Sequence, residues 1–227
     1  LQAVQGHGTS ADLLFPSPTT EQLAVLEDCG LCSEVGLCVV AATLTDISDT
    51  GIRQAYLRYA DDICWEKQLC PALLHIEGDY PKAENEIMMP RWAAKKLGLA
   101  NPQIGQKIEL PFYYGYIFMR YNRLSDDTEK TFVISGLYDD ASSVMVSNEA
   151  PMYISKSFLE QAPAKKEQYR SAAYITLKEK ADAAELSNLL VLTNGQELQD
   201  LMSHAGERIQ DMIQIGAAVL LIILCGG

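Results

Sequence analysis

Positive charge is scarce in this sequence. The 227 residues include 30 acidic and only 18 basic residues, which gives a formal net charge of −12 at pH 7. A protein that binds the phosphate backbone of DNA or RNA needs clustered Lys and Arg, because these displace the counterions of the nucleic acid. The composition therefore argues against a nucleic-acid partner, whereas an acidic surface attracts cationic peptides or drugs.

The motifs of common enzymes are also missing. There is no Gly-x-x-x-x-Gly-Lys-Ser/Thr phosphate-binding loop, no Gly-x-Ser-x-Gly elbow, no His-Glu-x-x-His and no Gly-x-Gly-x-x-Gly. Two aspartate pairs, Asp126-Asp127 and Asp139-Asp140, fall at predicted turns. Aspartate is a preferred turn residue, so solvated turns explain them better than a calcium or acid/base site. We therefore expect no catalytic residues, no metal site and no cofactor.

Five of the six cysteines lie in the first third of the chain, at positions 29, 32, 38, 64 and 70. Zinc needs four ligands, but Cys29-x-x-Cys32 has no matching second pair and the three histidines are scattered. In an oxidising compartment, Cys29–Cys38 and Cys64–Cys70 are plausible short-loop disulfides. Ordinary thiols are the favoured interpretation, at least one disulfide comes second and metal binding is the least favoured, so the cysteines do not fix the compartment.

The C-terminus is the longest hydrophobic stretch. Residues 215–225 carry no polar or charged side chain, and apolar positions at helical spacing lead into them from Gly195. A membrane-spanning helix needs about 20 apolar residues, and about half that number is present. A buried C-terminal helix would also explain the run, but a stripe that becomes apolar on all sides favours a helix entering a bilayer. We expect the natural protein to continue beyond Gly227 and to carry another span before Leu1.

Periodic patterns predict mixed helices and strands in the rest of the chain. Strands are expected at 35–45, 51–59, 73–77, 86–89, 106–121, 130–138, 152–154 and 172–177. Helices are expected at 21–29, 61–69, 90–97, from Ser155 or Ser157, at 181–192 and from 195 onward. Thr19 or Thr20 should cap the first helix, and residues 1–18 should be a loose lead-in.

The segment from Ile76 to Leu110 resembles a known family. Its phrases are Ile-Glu-Gly-Asp-Tyr-Pro, Asn-Glu-Ile-Met-Met-Pro, Ala-Ala-Lys-Lys-Leu-Gly-Leu and Ile-Gly-Gln-Lys-Ile-Glu-Leu. They resemble, in this order, the extracytoplasmic domain of FtsX-like and MacB-like permeases of ABC transporters. Phe-Val-Ile-Ser-Gly-Leu-Tyr at 132–138 and Met-Tyr-Ile-Ser at 152–155 resemble the next two strands of that family. The resemblance covers residues 70–160, and the cysteine-rich segment 29–38 departs from it.

The resemblance implies an α+β fold in two parts. A βαβ-type membrane-proximal module would comprise residues 1–78 plus 171–214, with a smaller β-rich module inserted at 79–170. A C-terminal stalk helix would lead into a truncated transmembrane helix at 215–227. Residues near 1–5 and near 212–216 should then be neighbours, because both chain ends must enter one membrane.

The implied function is that of the extracellular domain of an ABC transporter permease in the cell membrane. It would relay motion from a separate cytoplasmic ATP-binding subunit to the export or handling of peptide, lipid or drug-like substrates, including efflux. A second permease protomer or half would be its other partner. A ligand-sensing domain of a membrane signalling complex is the alternative, and a soluble enzyme with a hydrophobic C-terminus is a third hypothesis.

The aromatic strand around residues 112–121 is the best candidate for ligand contact. Alternation places Tyr114 and Tyr116 on one face and Tyr113 and Tyr121 on the other. Both faces are apolar or aromatic, so the strand is either buried on both sides or open on one. An open aromatic face would bind a peptide or an amphiphile.

Overall fold

The computed structural model describes residues 2–3, 8–116, 123–140, 148–163 and 169–192. The strands are β1 Gln2–Ala3, β2 Leu13–Pro16, β3 Cys32–Leu44, β4 Gln54–Ala60, β5 Leu74–Gly78, β6 Glu86–Pro90, β7 Lys107–Tyr114, β8 Thr128–Asp139, β9 Glu149–Ile154 and β10 Arg170–Leu177. The helices are α1 Thr20–Asp28, α2 Arg91–Lys96, α3 Lys156–Glu160 and a last helix, α4, over residues 183–192. One mixed sheet accompanied by helices confirms the α+β class.

Six strands close into a ring. Each strand pairs with the next in the order β3, β4, β9, β6, β8 and β7, and β7 pairs with β3 again. The pairs β4–β9 and β6–β8 are parallel, and the others are antiparallel. Closure depends on β3, whose first part pairs with β10 while its end, Ala42–Leu44, pairs with β7. The pairing of β3 with β4 shifts register between Val40 and Ala42, as at a β-bulge.

The largest buried cluster comes from alternate residues on one side of all six ring strands. Leu57, Ile87, Leu110, Ile134 and Met152 belong to it, each fully or almost fully buried. Helix α2 adds Ala93 and Ala94, and helix α3 adds Phe158. Because side chains alternate along a strand, the same strands present their other residues on the outer face of the ring.

A second sheet region, β2–β10–β3, extends from the ring and is covered on one face by helices. Leu13, Ala173 and Ile175 from the strands pack against Leu26 of α1 and Leu186 of α4. The threonine at 19 is the N-cap of α1: its side chain accepts from the Gln22 N–H, and the Gln22 side chain accepts from the Thr19 N–H. This capping box explains why α1 begins where the sequence predicts.

A π-helical turn at Cys64–Leu69 covers part of the opposite face. Asp61 holds this turn against β3, because its carboxylate accepts from the backbone N–H of Leu37 and from that of Cys64, each at 2.8 Å. Below the turn lies a third cluster that includes Cys38, Cys64, Tyr138, Tyr153 and Tyr174. The turn leaves the rest of this sheet face open beside it.

Most predicted elements match the structure, with three differences. Residues 1–18, expected to be a lead-in, contain β2, which pairs with β10. The expected helix at 61–69 is π-helical over its second part. The strand expected to reach Tyr121 is described as far as Tyr114, and residues 117–122 lie outside the described residues.

The predicted two-part division stays a prediction, and the strand pairing runs across it. Strands β3 and β4, before residue 79, pair with β7 and β9, which lie inside the segment 79–170. The predicted stalk, the truncated transmembrane helix and the two chain ends expected to be neighbours lie outside the described residues. In the described ranges, no helix has both the length and the hydropathy required to cross a bilayer.

Candidate functional site

The tyrosines of the predicted ligand-contact strand occupy three different environments. Tyr113 is 3% exposed and lies under the guanidinium of Arg123, 4.8 Å from its ring centroid. Tyr114 is half-buried and packs against Phe158, with 5.7 Å between the two ring centroids. Tyr116 reaches a cavity, and Tyr121 lies outside the described residues. The structure therefore brings Tyr116, but neither Tyr113 nor Tyr114, to a place where a small molecule could enter.

This cavity, of about 300 Å³, lies on the open part of the sheet face beside the π-helical turn. Its floor follows from strand register, because directly paired residues of neighbouring strands point to the same face. Arg170 pairs with Val40, and Val40 pairs with Arg58, so one row of side chains crosses β10, β3 and β4. The cavity is lined by polar and aromatic residues that include Cys38, Tyr56, Arg58, Tyr116, Arg170 and Tyr174.

Arg58 is the unusual residue of the cavity. It is half-buried in the middle of β4, and its Nε is buried without a hydrogen-bond partner among the described residues. Burial by itself lowers the pKa of Arg58, but the surrounding phenol and thiol groups, Tyr174 and Cys38 first, raise it above its ordinary value overall. The cavity therefore holds a charged guanidinium with an unused donor.

Two arginine–tyrosine stacks frame the opening. The Arg58 guanidinium lies 5.5 Å from the ring centroid of Tyr56, and that of Arg170 lies 4.3 Å from the centroid of Tyr116. The rings of Tyr56 and Tyr116 are 5.0 Å apart. A guanidinium within about 6 Å of an aromatic face is attracted by the ring quadrupole. The stacks thus hold both cations at the cavity wall.

The phenols of Tyr56 and Tyr174 remain protonated at neutral pH. Burial raises the pKa of Tyr56 well above its usual range, and the hydrogen bond with Tyr116 raises it further. Burial likewise raises the pKa of Tyr174. A neutral phenol can donate its proton in a hydrogen bond, whereas a phenolate cannot. The Tyr56 phenol donates this proton to the Gln54 Oε1, so its ring contributes mainly apolar surface to the cavity.

The acidic group at the cavity is Glu149 of β9. It forms an ion pair with Arg53, which lies just before β4. Among the described residues that line the cavity, Arg58 and Arg170 outweigh this single carboxylate. The cavity is therefore a local basic site on a chain whose net charge is −12.

The cysteines predicted to form short-loop disulfides have other cysteines as their neighbours in the structure. Cys29 lies beside Cys32, with 3.9 Å between the two Sγ atoms. Cys38 and Cys64 are hydrogen-bonded through their thiols, which lowers the pKa of Cys38 and raises that of Cys64. All five described cysteines, including Cys70, are free thiols. The short-loop pairs 29–38 and 64–70 stay predictions.

No described residues form a metal-binding cluster of three or more His, Cys, Asp or Glu side chains. The aspartate pairs have other partners: Asp127 pairs with Arg123 at 2.8 Å, Asp139 with His75 at 3.0 Å, and Asp140 accepts from the Trp92 Nε1 at 2.7 Å. Asp140 is 7% exposed, so the expectation of a solvated turn residue does not hold at that position.

Glu86, at the start of β6, has a structural role in the turn that precedes it. Its carboxylate accepts from the backbone N–H of Lys82 at 2.7 Å and of Ala83 at 2.9 Å. These bonds lower the pKa of the carboxyl group. They stabilise the turn before β6.

Sequence patterns alone gave no signal for Arg58. It lies in a strand with ordinary alternation, and an isolated arginine in a strand is usually a solvated residue. The pairing of β4 with β3 and β9 makes it central in the sheet, and both partners are distant in sequence. Knowledge of the neighbouring strands would have been needed to single it out.

Comparison with known proteins finds two solved structures that align with most of this chain at low sequence identity. No protein-family model matches the chain, and no curated protein matches it. The periplasmic region of MacB from Actinobacillus actinomycetemcomitans aligns with 82% of this chain and 75% of its own, at 10% identity and a TM-score of 0.43. A domain assigned to a permease protein from Porphyromonas gingivalis aligns with 79% of this chain and 70% of its own, at 11% identity and a TM-score of 0.39.

Proposed function

We propose that the chain is the extracytoplasmic domain of an ABC transporter permease of the FtsX/MacB type. In this role it receives motion from a separate cytoplasmic ATP-binding subunit and acts with a second permease protomer or half. The transported or handled material belongs to the peptide, lipid or drug-like classes. Residues 1–78 and 171–214 would lie nearer the membrane, and residues 79–170 farther from it.

The observation that carries the proposal is how the family-like phrases fit the backbone. They run in order through β5, β6, α2 and β7 and continue in β8 and β9, which include four of the six ring strands. Their glycines at 78, 98 and 105 all have positive φ, between 78° and 100°. Such angles favour glycine, so the phrases match the turns that this fold requires rather than composition alone.

Gly78 illustrates this requirement most clearly. It ends β5 with φ of 78°, and a Cβ placed on it would lie 2.1 Å from the carbonyl oxygen of Ser135 in β8. Only glycine allows the two strands to approach so closely. Gly78 opens the Gly-x-x-Pro phrase, so the most constrained backbone position coincides with the start of the resemblance.

The test uses the full-length parent protein in membranes. We expect it to co-purify in mild detergent with the ATP-binding protein encoded beside it, and to raise the ATPase rate of that protein. The control is an ATP-binding subunit without the lysine of its phosphate-binding loop, which should still co-purify but not hydrolyse ATP. A parent protein that purifies without any ATP-binding subunit, or leaves its ATPase rate unchanged, would refute the proposal.

The cavity favours a second candidate, an extracytoplasmic ligand sensor. A charged, half-buried arginine beside aromatic walls is a feature of a binding site, and mechanical relay does not require it. The two candidates differ in the component that responds to ligand. A ligand that alters the ATPase rate of the complex supports the permease, whereas one that alters a sensor kinase without changing ATP turnover supports the sensor.

A further inference from the structure

The starting point is the unsatisfied donor of Arg58. A polar group buried without a partner costs free energy, and a charged one costs more. The Arg58 Nε is such a group among the described residues, and the neighbours that most raise the pKa of its guanidinium are phenols and thiols. The carboxylate of Asp140 lies near enough for the Arg58 charge to lower its pKa, but it accepts a hydrogen bond from Trp92 and leaves the Arg58 Nε without a partner. The acidic neighbour at the cavity, Glu149, is already paired with Arg53. An external anion would supply the missing acceptor.

The position of Arg58 brings its guanidinium to the wall of a cavity that a ligand could enter, although the Nε atom itself is buried. The residue lines a cavity of about 300 Å³, at the small end of the range for ligand pockets. Arg170 lies across one intervening strand in the same row of side chains. Both guanidinium groups line the same cavity, so the two positive charges attract the same anion.

The aromatic and apolar walls of the cavity favour an anionic group that is attached to an apolar body. The Tyr56 and Tyr116 rings lie 5.0 Å apart, and Val40, Leu14 and Tyr174 add further apolar surface. A simple inorganic anion would leave these surfaces in contact with water. A ligand with a compact apolar or aromatic body would cover them while its charged end meets Arg58.

The guanidinium also selects the geometry of the charged end. The Nε and one Nη of arginine form a planar fork that matches two oxygens of a carboxylate or of a phosphate, and the small volume of the cavity favours the smaller carboxylate. We infer that the cavity binds a small ligand, or the end of a longer one, that carries a carboxylate on an apolar body, with the carboxylate at Arg58 and the body against the tyrosine walls. This inference goes beyond the proposed function and does not depend on it.

The direct test follows the Nε–H signal of Arg58 by NMR in the ¹⁵N-labelled 227-residue chain. The probe is 3-phenylpropanoate, and its matched control is 3-phenylpropanamide, which has the same body without the charge. We expect the acid to move the Arg58 Nε–H signal saturably, and the amide to leave it in place. The inference is overturned if the signal does not move up to millimolar acid, or if acid and amide move it equally.

Inorganic phosphate separates two anion chemistries. Movement of the Arg58 signal by phosphate but not by 3-phenylpropanoate would overturn the assignment of a carboxylate. A free fatty acid and a peptide C-terminus both present this group, and octanoate and a short apolar peptide distinguish these sources. If either one binds more tightly than its uncharged amide counterpart, the assignment of a carboxylate ligand is supported.

Variants give an independent measurement by calorimetry. Arg58→Gln should weaken the binding of 3-phenylpropanoate by at least about tenfold, because one charge-assisted fork is lost. Arg170→Gln, at the exposed rim, should weaken it less, and Lys107→Gln, which removes the same charge outside the cavity, should have no effect. Equal weakening by Lys107→Gln and Arg170→Gln would contradict a local site. If Arg58→Gln fails to fold, the NMR comparison of acid with amide decides the question.

Discussion

At the scale of single residues, the molecule contains polar groups whose burial changes their chemistry. Asp140 is the clearest titratable example. It is 7% exposed, and burial raises its pKa from 3.8 to about 6, although the hydrogen bond from Trp92 and the charge of Arg58 act in the opposite direction. The folded state therefore holds the Asp140 proton more tightly than the unfolded chain does.

This shift predicts how stability depends on pH. Between about pH 4 and 6 the folded state binds more protons at Asp140 than the unfolded state, so its contribution to stability falls as pH rises through this window. Asp140→Asn removes the buried charge and keeps an acceptor for Trp92. We expect the variant to gain about 2 kcal/mol relative to the parent between pH 4 and pH 7, measured by urea unfolding.

The control for this prediction is Asp126→Asn, a change of the same type in an exposed turn. It should leave the difference from the parent almost independent of pH. If Asp140→Asn and Asp126→Asn show the same pH profile, the buried carboxylate is not the cause.

At the scale of elements, the contact between β3 and the π-helical turn depends on one glycine. A Cβ on Gly36 would lie 2.4 Å from the backbone nitrogen of Cys64 and 2.4 Å from the Gln68 Oε1. The backbone atom cannot move away without disturbing the Asp61 bonds that hold the turn. Gly36 does not have a positive φ, so its backbone conformation does not require glycine. Glycine is required because the Cys64 backbone lies too close for a Cβ.

Replacing Gly36 should separate the turn from the sheet. We expect Gly36→Ala to lower the free energy of unfolding by about 2–4 kcal/mol, the range for overpacking that the backbone must accommodate. Chemical denaturation measures this directly. Glu34→Ala, two residues away on the same strand, is the matched control and should change stability by less than about 1 kcal/mol. Equal losses from the two changes would mean that the close contact does not exist.

Elements with local signals were predictable from sequence, and elements with distant partners were not. The Thr19 capping box marks the start of α1, and the Pro90 and Gly98 pair brackets α2. Strand β2 was missed because it has only four residues and its partner β10 begins more than 150 residues later. Register and ring closure depend on the β-bulge near Ala41, which has no local sequence signature.

The candidate site was also predictable only in the part that has a local sequence signal. The aromatic strand was visible as composition, but alternation could not decide which of its tyrosines meets a cavity. Phe112 and Tyr113 are almost completely buried, so this part of the strand has core on both sides. Tyr116 alone of the described tyrosine candidates lines the cavity, and its partner Arg170 is brought there by β10.

At the scale of the whole molecule, the ring and the β2–β10–β3 sheet share strand β3, whose 13 residues run through both. The cavity lies on the face where the two regions meet, lined by residues of β2, β3, β4 and β10. A movement of one region relative to the other would therefore change the cavity. This arrangement suits a domain in which motion received from an ATP-binding subunit alters a ligand-contact site, as the permease proposal requires.

The central claim is that this domain lies on the outer side of a membrane as part of a permease. The most direct measurement labels Glu129→Cys, an exposed position on β8, in the full-length parent protein with a membrane-impermeant maleimide. The unsubstituted parent gives the background from the native thiols, and lysed cells give full labelling. The account predicts that Glu129→Cys is labelled in intact cells as strongly as in lysed ones. Labelling above background only after lysis would place the domain inside the cell and contradict it.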